Sequence, residues 1–137
     1  MLKRLALATA ALGLLAAPAV QADDHAEMTR GEQRLAKMLE GRVAGEPERC
    51  IHTVGNRSLT RIDGTALTYK SGDTLWVNYT RNPESIDDGD IMVMKRFSPT
   101  TLCRTDHIEL VDRLSGMFSG VLFLDEFVPY KKVDAEG

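Results

Sequence analysis

Between Leu59 and Tyr79 the chain reads LTRIDGTALTYKSGDTLWVNY, and this run limits the fold more than any other segment. Leu67 and Tyr69 alternate with Ala66, Thr68 and Lys70, and Leu75, Val77 and Tyr79 alternate with Thr74, Trp76 and Asn78. A period of two sends successive side chains to opposite faces of a strand. The turn between the two runs therefore decides which rows share a face. A two-residue loop at Ser71-Gly72 pairs Leu67 with Trp76. A three-residue loop, Lys70-Ser71-Gly72, puts Leu67, Tyr69, Leu75, Val77 and Tyr79 on one face, with Gly72 free to take the left-handed conformation. We take the second register as the expectation, since it gathers the apolar rows and leaves Ala66, Thr68, Lys70, Thr74, Trp76 and Asn78 half solvated. Asp63-Gly64 is a hairpin signal of its own. The expected unit is a three-stranded meander of Ser58–Ile62, Thr65–Lys70 and Asp73–Thr80.

The first 22 residues set the compartment. MLKRLALATAALGLLAAPAVQA has a positive start at Lys3 and Arg4, an apolar stretch from Leu5 to Ala17, and small residues before Asp23. This is the pattern of a secretory signal peptide, too short for a comfortable membrane span. The expected mature chain is Asp23–Gly137, with no further apolar run and hence no integral membrane segment. Removing Lys3 and Arg4 from 17 basic residues leaves 15 against 20 acidic, a net charge of −5. That balance argues against a general attraction to nucleic acid or to anionic membranes. It suits a soluble exported protein in the periplasm.

Only two cysteines are present, Cys50 and Cys103. In an exported chain a disulfide between them is the default. The chain-entropy model assigns a loop of this length about 4 kcal/mol. Two free thiols are the alternative, and the absence of a C-x-x-C spacing counts against a redox role.

Read in order, Thr29-Arg30-Gly31-Glu32 fits a capping box, and Leu35, Ala36, Met38 and Leu39 follow at helical spacing up to the stop at Gly41. A helix over Arg30–Glu40 is expected. Short strands follow at Glu48–Thr53, through the meander, and at Ile91–Phe97, His107–Asp112 and Gly120–Leu124, with Phe127–Tyr130 packing back at the end. The fold class is therefore mainly β. It consists of six to seven short strands in a small antiparallel sheet or partly closed barrel, with one N-terminal α-helix. The domain division is a signal peptide over 1–22, an N-terminal segment over 23–46, a disulfide-bonded β domain over 47–131, and a polar tail over 132–137.

Candidate chemistry is sparse. With cleavage after Ala22 the chain begins Asp23-Asp24-His25. A free amine, two backbone amides and a third-position imidazole form a square-planar nitrogen set for Cu(II) or Ni(II). Met92 and Met94 share one strand face, where filling a core is a commoner role than binding Cu(I). Glu84, Asp87, Asp88 and Asp90 crowd one loop but lack the spacing of a calcium loop and read as solvated. His52 and His107 could serve a small hydrolase, yet no nucleophile elbow or phosphate loop accompanies them. No catalytic residue is assigned. Thr68, Lys70, Trp76 and Asn78 offer a recognition patch unless the helix covers them.

Four segments carry a resemblance: LEGRVAGEPERCI (Leu39–Ile51), IDGTALTYKSGDTLWVNY, LCRTDHIELVD (Leu102–Asp112) and FVPY (Phe127–Tyr130). In order and spacing they resemble a group of small exported proteins of Gram-negative bacteria, frequent in alphaproteobacteria and classed as a domain of unknown function. The resemblance spans Leu39 to Tyr130 and implies export and a disulfide-supported domain. It supplies no activity. Many members of that group carry a second cysteine pair, which this chain lacks, so the resemblance implies that Cys50–Cys103 is the retained bridge. The functional expectation is a non-enzymatic periplasmic binding or envelope-associated module with an envelope protein as partner. A copper- or nickel-binding protein using Asp23, Asp24 and His25 is the alternative, and a small hydrolase comes third.

Overall fold

The computed structural model describes residues 27–54 and 59–134. Helix α1 (Arg30–Leu39) begins as the capping box requires: the Glu32 N–H donates to Thr29 Oγ1 at 3.2 Å, and the Thr29 N–H donates to Glu32 Oε2 at 2.7 Å. Two otherwise unpaired donors are satisfied at the helix start. Gly41 takes φ +69 just past the end, where a left-handed residue closes a helix.

Among the described residues ten strands follow, all paired antiparallel, in three open sheets. Strands β1 (Arg42–Ala44), β3 (Thr60–Ile62), β4 (Ala66–Ser71), β5 (Thr74–Asn78) and β10 (Phe127–Lys132) make a five-stranded sheet in the order β1-β10-β5-β4-β3. A two-stranded sheet joins β2 (Cys50–His52) to β7 (Thr101–Cys103). A three-stranded sheet has the order β6-β8-β9, from Asp90–Lys95, His107–Asp112 and Phe118–Phe123. The mainly β class and the single N-terminal α-helix stand among the described residues. The strand number does not, since β1, β7 and β10 are added to the seven expected, and no sheet closes into a barrel.

The meander forms, with a different register. Leu67 lies opposite Asn78, Tyr69 opposite Trp76 and Lys70 opposite Leu75, so the loop is the two residues Gly72-Asp73. Gly72 has φ +58 at the first central position, where the II′ turn calls for glycine. The two apolar rows consequently fall on opposite faces of the sheet. Each row has its own cover, which removes the reason for gathering them. On one face Ile62, Ala66, Leu75 and Val77 pack with Leu35, Met38 and Leu39 of α1. On the other, Leu67, Tyr69 and Phe127 pack with Ile108, Leu110 and Leu122 of the three-stranded sheet and Ile51 and Leu102 of the two-stranded one. The layers are thus helix, five-stranded sheet, and a second layer of two smaller sheets.

Cys50 and Cys103 sit directly opposite one another in β2 and β7 and form the disulfide, with a Cα–Cα distance of 4.0 Å. The bridge ties the two strands whose Ile51 and Leu102 enter the main core.

Candidate functional site

In β6, Met92 and Met94 alternate with Ile91, Val93 and Lys95; in β8, Ile108 and Leu110 alternate with His107, Glu109 and Val111. The inner rows fill the main core, Met92 and Met94 included. Pairing then builds an outer face of three rows. The first holds Ile91, Val111 and Phe118, the second Val93, Glu109 and Val121, the third Lys95, His107 and Phe123. A bulge between Leu110 and Val111 shifts the β9 register. That shift keeps Phe118 in the outer row, although Ser119 separates it from Gly120.

Six of these nine positions are apolar. Phe118 is 65 % exposed and Phe123 51 %, and Ile91 and Val93 are exposed as well. The only ion pair on the face joins Lys95 Nζ to Glu109 Oε2 at 3.5 Å. Both groups are partly solvated, so the pair adds at most about 1 kcal/mol to stability. The exposed Leu114 and Met117 of the β8–β9 turn lie at one end of the face. Phe97, 92 % exposed, lies at the other, just past β6.

The β9 edge of this sheet is closed to strand pairing. Along β9, the Arg81 N–H donates to the Phe123 carbonyl at 2.9 Å, the Phe123 N–H donates to Asn82 Oδ1 at 3.0 Å, and Asn82 Nδ2 donates to the Val121 carbonyl at 2.7 Å. The Asn82 amide acts as a one-residue strand. At the start of β6 the Arg61 guanidinium donates to the Asp90 carbonyl. A blocked β9 edge beside an open apolar face favours contact through the face.

A second feature lies across the molecule. Met28, Leu35, Leu39, Thr65, Tyr79 and Pro83 line a shallow groove of about 380 Å³ beside α1. The Tyr79 hydroxyl meets that of Tyr130 at 2.8 Å at its rim. Burial, and then this hydrogen bond, push the Tyr79 hydroxyl above its ordinary pKa.

Asp23, Asp24 and His25 lie outside the described residues. No group of three or more His, Cys, Asp or Glu side chains is placed to hold a metal among the described residues. The acidic loop shows no such group either. His52 lies opposite Thr101, and His107 lies between Lys95 and Phe123. The expected recognition patch does not form, because the register puts Thr68 and Lys70 on the face of α1 and Trp76 and Asn78 on the other face. Thr68 and Asn78 are buried, Trp76 packs against the main core, and Lys70 alone is exposed. Asn78 is instead a structural hub: it accepts from the N–H groups of Thr80 and Asp125 and donates to the Asp125 carbonyl. Alternation along β6 and β8 separates the two rows, and nothing in that period tells which row lacks a cover. No helix among the described residues is long and apolar enough to cross a membrane. No family model, curated protein or solved structure matches this chain.

Proposed function

We propose that this chain is an exported, periplasmic binding or envelope-associated module that works by docking protein against the outer face of β6-β8-β9. The observation that carries this reading is six apolar side chains in three adjoining rows, broken by one ion pair and His107, on a sheet whose inner face already belongs to the core. A folded domain gains nothing in stability from such an outer face, and large exposed apolar patches mark interaction sites. The disulfide supports export, since such bridges persist in oxidising compartments. The resemblance to exported Gram-negative proteins points the same way.

The test is a photo-crosslinking residue at position 93, on the face, compared with one at position 73, in the β4–β5 turn, in the exported chain of living cells. Protein adducts from position 93 and none from position 73 are expected. Equal yields from both positions, or none from either, would end the docking reading. The copper or nickel site of Asp23, Asp24 and His25 is independent of this face. Copper titration of the exported chain and of its His25→Ala variant tests it: binding lost in the variant is the expected result, and equal uptake by both chains removes the site.

A further inference from the structure

We infer that the partner docked on the outer face of β6-β8-β9 is a second copy of this chain, in a face-to-face dimer about a two-fold axis. The inference rests on the docking reading above and adds the identity of the occupant. Two observations carry it.

The first is size. Phe97, Phe118 and Phe123 are 92 %, 65 % and 51 % exposed. At about 150–250 Å² for a fully exposed aromatic side chain, these three alone offer on the order of 300–500 Å². The exposed parts of Ile91 and Val93 bring the strip to the order of 500 Å² on each copy, the size of a weak, reversible interface.

The second is charge. Lys95 and Glu109 lie diagonally across β6 and β8, joined at 3.5 Å, with His107 beside them and apolar side chains at the other six positions of the face. The pair has no net charge, so it selects neither an acidic nor a basic partner. An in-plane two-fold axis passing between the two groups and perpendicular to the line joining them lays Lys95 of one copy over Glu109 of the other, and the reverse. Four charges then alternate around the axis. An isologous contact requires this self-complementarity, and two-fold dimers are the commonest soluble assemblies. The same axis brings Val93 and Phe123 close to their own counterparts, as in sheet-on-sheet packing. The capped β9 edge offers no strand-to-strand route on that side.

The test is sedimentation velocity on the oxidised exported chain over the micromolar range, with circular dichroism as a check on folding. A sedimenting mass twice that of the chain is expected. Val93→Asp should halve it with an unchanged spectrum. Lys95→Glu and Glu109→Lys should each weaken association by at least about tenfold, because each sets like charges around the axis. The double variant should restore the dimer, since the exchanged pair is again self-complementary. A wild-type chain that stays monomeric overturns the inference, as does a dimer that survives Val93→Asp. If the chain is monomeric yet position 93 crosslinks to a different protein, the docking reading stands and the second copy does not. If it is monomeric and position 93 gives no adduct, both fail.

Discussion

The two larger sheets of this protein share one core and meet opposite ends. The five-stranded sheet is covered on both faces, by α1 on one side and by the smaller sheets on the other. Among the described residues the three-stranded sheet is covered on its inner face only. Both sheets nevertheless have apolar residues on both faces. In the first, the second apolar row is needed for folding. In the second, it contributes nothing inside one copy of the chain. An apolar row therefore signals a contact without saying whether the contact is within the molecule. The difference is set by what remains to pack against, and one ten-residue helix can cover only one sheet.

This contrast predicts unequal responses to the same substitution. Val77→Asp places a carboxylate between the five-stranded sheet and α1, where Val77 is fully buried. An unpaired charge there should cost more than about 4 kcal/mol and leave little folded protein. Val93→Asp on the outer face should change the stability of the dilute chain by no more than about 0.5 kcal/mol. Urea denaturation of both variants measures the gap, and similar losses would erase the distinction between the sheets.

Removing the bridge comes next. The double variant Cys50→Ala, Cys103→Ala frees a loop with a sequence separation of 53 residues. The midpoint in urea should fall by the equivalent of about 4 kcal/mol. The same fall should follow reduction of the native chain. A smaller loss is expected from Gly31→Ala. A Cβ on Gly31 would collide with Thr65 Oγ1 and the Asp63 carbonyl, so the first turn of α1 must lift from the Asp63–Thr65 turn. Overpacking of this kind costs about 1–3 kcal/mol. It should open the helix-side face while leaving the main core protected in hydrogen exchange.

The smallest effect is at high pH. The folded state holds the Tyr79 hydroxyl above its ordinary pKa, by burial and by the bond to Tyr130. The unfolded chain ionises near pH 10, so this contribution is fully present below that pH and is lost as pH rises beyond it. Tyr79→Phe should flatten the alkaline decline in thermal stability and leave neutral pH almost unaffected.

Much of the architecture could be read from local signals. The capping box at Thr29 and Glu32, the Asp63-Gly64 turn and the alternation in β6 and β8 each depend on a few neighbouring residues. What was hidden depends on distant ones. The β4–β5 register differs from the expected one because Leu67 and Leu75 have separate covers, which local alternation does not reveal. The closing segment Phe127–Tyr130 forms strand β10 even though Pro129 lies inside it. The short β1 ends at Ala44, opposite Tyr130, and Gly45 then donates its N–H to the Pro129 carbonyl at 2.7 Å. Strand β1 has three residues between two glycines, and β7 has three after a proline-containing break, so neither carries a usable period. For the outer face, the rows of Ile91–Val93 and Val111–Glu109 were visible in the sequence. Their exposure was not, because it follows from the absence of a second helix to cover them among the described residues.

Two phenylalanines only four residues apart test the central claim most directly. Phe123 is 51 % exposed on the outer face and Phe127 is 1 % exposed in the main core. Hydroxyl-radical footprinting of dilute, oxidised protein compares them with no difference in intrinsic reactivity. The account predicts rapid modification at Phe123 and Phe118 and protection at Phe127. Equal modification of Phe123 and Phe127, or protection of all three at the lowest concentration, would mean that the three-stranded sheet has no free apolar face, and the contrast between the two sheets would be wrong.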